Sequence, residues 1–129
     1  MVCSCDVGPI VFAVPDSLRA CGPDSAPAAS LCPTCLSVEP VSDPPTDDPD
    51  FSRVSDAFPD GRGGVAMALT IGLLDSLAHN RAEIETTLEA AERAGVDPLL
   101  VVDRLQTDDS VDSDIDLERR HAKLESLLY

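Results

Sequence analysis

Val65-Ala-Met-Ala-Leu-Thr-Ile-Gly-Leu-Leu-Asp-Ser-Leu-Ala78 is apolar at nearly every position. A run of that kind reads as a central helix, buried on most of its sides. At about 1.5 Å per residue it falls well short of a hydrocarbon core of about 30 Å. Thr70, Asp75 and Ser76 also interrupt it, so no membrane span is expected. Gly61-Arg-Gly-Gly64 precedes the run; it fits neither a phosphate-binding loop nor a dinucleotide fingerprint and reads as a flexible hinge. Downstream, Asn80 followed by Glu83 has the form of a capping box. It would open a helix to about Ala94 with Ile84, Leu88 and Ala91 on one stripe, stopped by Gly95. Asp97-Pro98 should cap and open a third helix through Leu105. A last helix, following the acidic segment 108–116, carries Leu117, His121, Leu124 and Leu128 on one face.

The chain changes character near residue 60. Ten of its eleven prolines lie at or before Pro59, and all five cysteines at or before Cys35. Residues 9–14 are β-branched and apolar and read as a short strand; residues 15–21 suit one or two helical turns. Residues 36–41 alternate apolar and polar and suit a second strand, with Pro40 confining it to a sheet edge. Phe51, Val54 and Phe58 recur at the spacing of a short amphipathic helix closed by Pro59. The expected fold is α+β: a small zinc-ribbon-like β clip followed by a mainly helical bundle of about four helices. The expected organisation is a cysteine module over 1–41, an acidic proline-rich linker over 42–50 and a helical domain over 51–129.

Cys3-x-Cys5 and Cys32-Pro-Thr-Cys35 form two close pairs with 26 residues between them. Zinc prefers four thiolates, and a close pair on a tight turn delivers two of them from one knuckle. Cys3, Cys5, Cys32 and Cys35 are therefore the expected ligands of one structural Zn2+ ion. Residues 1–41 hold little apolar surface of their own, and a structural metal supplies stability that such a segment lacks. Leu36 stands where a glycine often follows Cys-Pro-x-Cys. The competing readings are unliganded thiols, an iron–sulfur centre and a thiol redox pair at Cys32 and Cys35. The redox pair calls for a preceding strand and a helix that opens at the motif to lower the thiol pKa, whereas Pro27-Ala-Ala-Ser30 precedes the motif and a strand-like segment follows it. Cys21 reads as a small buried residue beside the clip, or as a substitute ligand for Cys3.

The 129 residues include 24 acidic and 9 basic side chains, a formal charge of -15. Such a chain lacks the basic face that phosphate contacts need, so nucleic acid is not an expected partner. The split is uneven, with 17 Asp to 7 Glu and 8 Arg to one Lys, Lys123. Asp-rich, Lys-poor composition resembles that of proteins from salt-in halophilic archaea, where the Debye length at ~1 M salt is about 3 Å. Met1-Val-Cys-Ser-Cys-Asp6 has neither a basic n-region nor a long apolar core, so a secretory signal is not expected and the cytoplasm is. Five cysteines in a cytoplasmic chain favour metal or thiol chemistry over disulfides.

Other constellations read as structural. Asp112-x-Asp114-x-Asp116 imitates the start of a calcium loop, but Leu117 replaces its glycine and Lys123 its closing glutamate. His121 reads as a partly buried side chain and His79 as a helix C-terminal residue suited to the dipole there. The helix pair around Gly95-Val-Asp-Pro98 would make a poor DNA reader, because residues 98–105 offer one Arg104 among aliphatic side chains.

Cys3-Ser-Cys5, Pro9-Ile-Val-Phe-Ala-Val-Pro15, Cys32-Pro-Thr-Cys35, Phe58-Pro-Asp-Gly61, Gly72-Leu-Leu-Asp-Ser-Leu-Ala78, Gly95-Val-Asp-Pro-Leu-Leu100 and Asp116-Leu-Glu-Arg-Arg120 together resemble a family of small haloarchaeal proteins of unknown function with a zinc-ribbon-like N-terminus. The resemblance spans the chain outside the linker and implies a metal-type role for Cys3, Cys5, Cys32 and Cys35; it brings no activity. The expected function is protein interaction or an adaptor role around a structural four-thiolate zinc site, with a protein partner or a homodimer and no catalytic residue. A redox protein and a transcription-associated regulator are the alternatives.

Overall fold

In a computed structural model the described residues are 8–46, 48–56, 58–74, 79–108, 111 and 117–128, with side chains to 126. The fold is α+β: among the described residues, a three-stranded antiparallel sheet is followed by four helices. Strands β1 (Ile10–Ala13), β2 (Ala28–Leu31) and β3 (Val38–Val41) lie in that order. Ile10 pairs with Leu31 and Leu31 with Val38, so Ile10, Phe12, Ala29, Leu31 and Val38 share one face. Pro40 sits on the edge strand, where its missing N–H removes no ladder bond. Two strands are expected from the sequence, over 9–14 and 36–41; β2 is a third between them. Alanine and serine are weak strand formers, and here pairing on both sides makes Ala28-Ala-Ser-Leu31 the central strand.

Between β1 and β2 the chain makes 3-10 turns at Asp16–Cys21 and Pro23–Ser25. The helices are α1 (Gly61–Leu73), α2 (Arg81–Arg93), α3 (Pro98–Thr107) and α4 (Leu117–Leu128). The glycines read as a hinge are instead the first turn of α1, with Gly63 and Gly64 buried. A Cβ at Gly64 would stand 2.4 Å from the Pro59 carbonyl oxygen and 2.5 Å from the Phe51 ring. Their small size is therefore a packing requirement. The last expected residues of this helix, 75–78, lie outside the described residues, as do Asp112, Asp114 and Asp116.

Phe51, Val54 and Phe58 are buried as their spacing suggests, but the helix there shrinks to one 3-10 turn, Phe51–Arg53. Asp50 Oδ1 accepts from the Ser52 N–H at 3.1 Å and caps that turn. Phe51 touches Phe12 of β1, ring centroids 5.7 Å apart, and stacks on Phe58 at 5.3 Å. One apolar cluster thus runs from Ile10 and Phe12 through Phe51 to Ile71, Leu88, Val102 and Leu124.

Between α1 and α2 the polar groups are matched. Thr87 donates to the Ile84 carbonyl at 3.0 Å, and its oxygen lies 2.8 Å from that of buried Thr70. The Thr70 proton is shared between Thr87 and the Ala66 carbonyl, also 2.8 Å away. The Asn80 capping box does not form; its amide instead donates to the Leu73 carbonyl at 3.0 Å, satisfying an open end of α1. Gly95, at φ 85°, closes α2 with Val96 N–H to Ala91 O at 2.9 Å and Gly95 N–H to Glu92 O at 3.0 Å, a Schellman stop. Asp97 caps α3 through the Leu100 N–H at 3.2 Å.

Gly64→Ala should therefore lower stability by about 3 kcal/mol, since an added methyl must displace either ring or backbone. Denaturant midpoints measure this, and an unchanged midpoint would refute the Phe51–Gly64 contact.

Candidate cysteine site

Antiparallel strands β2 and β3 must be joined by a reversal, and residues 32–37 form it. The Cys32 N–H donates to the Ser37 carbonyl at 2.9 Å and the Leu36 N–H to the Cys32 carbonyl at 3.0 Å. Closing the loop puts Leu36 at φ 64°, the left-handed region that glycine takes without cost. For leucine that conformation costs about 1–2 kcal/mol. Its side chain is 4% exposed and belongs to the core, and burial of a leucine is worth about 1.5–3 kcal/mol. That explains leucine where a glycine is common: the backbone has the glycine geometry, and the side chain anchors the loop on the hydrophobic core.

Cys32 and Cys35 are both buried, at 3% and 6% exposure. The Cys35 sulfur lies 3.1 Å from the Ser37 hydroxyl. Ser37 went unremarked in the sequence; a hydroxyl two residues past the second cysteine was the available signal. A strand does precede the motif, as a redox pair would want, but the motif leads into a turn and β3 rather than opening a helix.

Cys3 and Cys5 lie outside the described residues. The register bears on their reach: Ile10 opposes Leu31, so the chain enters β1 at the end of the sheet where the Cys32–Cys35 turn lies. Four residues separate Cys5 from Ile10, a span of at most about 17 Å. Arg53 donates to the Gly8 carbonyl and ties this entering segment to the turn at Phe51–Arg53.

Cys21 belongs elsewhere. Its buried thiol lies 3.7 Å from the Glu83 carbonyl of α2, which accepts its proton. It borders a cavity of about 320 Å³ with Val38, Gly72, Asn80 and Glu83. Burial, and secondarily the Glu83 charge, push its pKa up. Among the described residues no three His, Cys, Asp or Glu side chains gather as a metal-binding group, so Cys21 does not join Cys32 and Cys35. His79 is exposed in a turn, and His121 is half-buried on α4.

The fold and site define a small α+β protein with a buried two-cysteine hairpin packed on helices. The profile of a family of unknown function (DUF6276) matches residues 2–128, and the chain belongs to that family. No curated protein and no solved structure matches it.

Two outcomes test this geometry. At position 36, stability should fall in the order Leu, Gly, Ala, because alanine loses the buried side chain yet keeps the left-handed strain. Alanine ranking above glycine in a denaturant titration would refute the left-handed assignment. At Cys21 the folded state holds its proton beyond the ordinary thiol pKa of about 8.5. The unfolded chain releases that proton first, so Cys21's contribution to stability is complete below about pH 8.5 and is lost as pH rises above it. Cys21→Ala should flatten this alkaline decline in thermal midpoint; an unchanged slope counts against the burial.

Proposed function

We propose that the chain is a small metal-stabilised binding module, with Cys3, Cys5, Cys32 and Cys35 holding one structural Zn2+ ion. The observation that carries the reading is the Cys32–Cys35 hairpin, a tight turn with a left-handed residue after the second cysteine. It offers two sulfur donors from one loop, as the knuckle of a thiolate zinc site requires. The donor set is soft and N-terminal, on the segment that carries the sheet. A bound zinc ion would cross-link that segment and contribute folding free energy. Four thiolates leave no open coordination position for water or substrate, which favours a structural over a catalytic role. The acidic, Lys-poor composition supports a haloarchaeal, high-salt cytoplasm as its setting.

The partner reading is protein interaction. Phe51, Phe58 and the body of α1 are buried within this chain, so a partner would meet other surfaces. The charge of -15 disfavours nucleic acid as that partner. No helix among the described residues is long and apolar enough to cross a membrane.

Elemental analysis of the full chain purified in molar KCl should give about one zinc per chain. Cys32→Ser and Cys35→Ser should each abolish stoichiometric zinc, and a chelator should make four thiols reactive together. Metal-free protein with a reversible Cys32–Cys35 disulfide would overturn the proposal in favour of thiol redox chemistry.

A further inference from the structure

We infer that Ser37 is a positioning residue for the cysteine site, its hydroxyl donating a hydrogen bond to the sulfur of Cys35. This rests on the reading of Cys32 and Cys35 as metal ligands. The two atoms are 3.1 Å apart, and with a neutral thiol either one can donate. A ligating cysteine is a thiolate without a proton, so only the hydroxyl can then be the donor. Hydrogen bonds to an ionised acceptor are about twice as strong as neutral ones. Cys35 is 6% exposed, and a buried anionic sulfur has lost most of its water. A protein donor replaces part of that hydration.

The loop is built to present this hydroxyl. Left-handed Leu36 turns the chain so that residue 37 comes back beside Cys32. There the Ser37 carbonyl accepts the Cys32 N–H at 2.9 Å. The Ser37 backbone is thereby fixed by Cys32, and one side-chain torsion remains between it and the Cys35 sulfur. A single residue holds the first cysteine by its main chain and the second by its side chain. Any amino acid except proline keeps the usual backbone geometry there, and every residue keeps the carbonyl. Of the small side chains, serine and threonine alone add a hydroxyl at Cβ.

The test uses the full chain, stripped of metal and reloaded with Co2+. The readouts are the near-ultraviolet thiolate-to-cobalt charge-transfer band and affinity by competition against a chelator. Removing a donor raises the sulfur lone pairs in energy. Ser37→Ala should therefore move the band to lower energy and weaken binding on the order of 10-fold, the lower end for outer-shell partners. Ser37→Thr should restore both. An unmoved band in Ser37→Ala, with or without a drop in the thermal midpoint of the metal-free chain, overturns the inference and leaves the metal reading standing. Absence of any charge-transfer band in the unsubstituted chain overturns the metal reading itself.

Discussion

Phe51 against the first turn of α1 is the contact on which the rest of the molecule depends. The ring lies within reach of Phe12 on β1 and Phe58 after it, and rests on the bare backbone at Gly64. With three phenylalanines, one tyrosine and no tryptophan in the chain, little other aromatic area is present to join sheet and helices. Aromatic side chains dominate core energetics because each buries about 150–250 Å². The contact needs both partners: a large flat side chain and a helix surface with no Cβ in its path. A second close approach repeats the device. Gly72 of α1 meets Val38 of β3, where a Cβ would come within 2.8 Å of the valine Cβ. Helix α1 is thus seated on Phe51 at Gly64 and on the sheet at Gly72, two positions eight residues apart, near two helical turns.

Seating α1 in this way fixes where β3 lies, and β3 fixes the cysteine hairpin. Val38 begins β3 immediately after Ser37. The same short stretch therefore packs on α1 through Val38, anchors in the core through Leu36, and carries Cys32 and Cys35 on the loop between. The buried leucine and the glycine-like backbone at position 36 couple the hairpin to the body of the protein. A hairpin closed by glycine would have the same turn with no such anchor.

Much of this was legible in the sequence, for physical reasons that differ by element. Helices α2 and α3 announced themselves because their stop and start signals are local chemistry: Gly95, Asp97 and Pro98 act within a turn of where they stand. The edge position of Pro40 followed from one missing N–H. Strand β2 was illegible because Ala28-Ala-Ser-Leu31 has no strand preference of its own; its conformation comes from two neighbours distant in sequence. The role of Gly64 was hidden likewise, since a glycine demanded by a ring thirteen residues away looks the same as a hinge. At the candidate site the two cysteines of the hairpin were evident from spacing. The left-handed Leu36 and the Ser37 hydroxyl were not, because each depends on how the loop closes.

The charge of -15 divides nearly evenly, -8 over residues 1–60 and -7 over 61–129, so neither half is an acidic tail. The ion pairs Arg19–Asp16, Arg81–Glu85 and Arg93–Glu89 are three or four residues apart on helical surface and largely exposed. Pairs of that kind are worth about 0.3–0.5 kcal/mol each and are screened by salt. They do not hold the fold; the apolar cluster and the close glycine contacts do. Net charge of this size opposes compaction through self-repulsion, and that repulsion fades as the Debye length contracts from about 10 Å at 0.1 M to about 3 Å at 1 M salt. The hydrophobic contacts are strengthened by excluded salts over the same range. A chain held together by apolar contacts, with its ion pairs at the surface, accordingly gains from high salt on one side of its energy balance and loses little on the other.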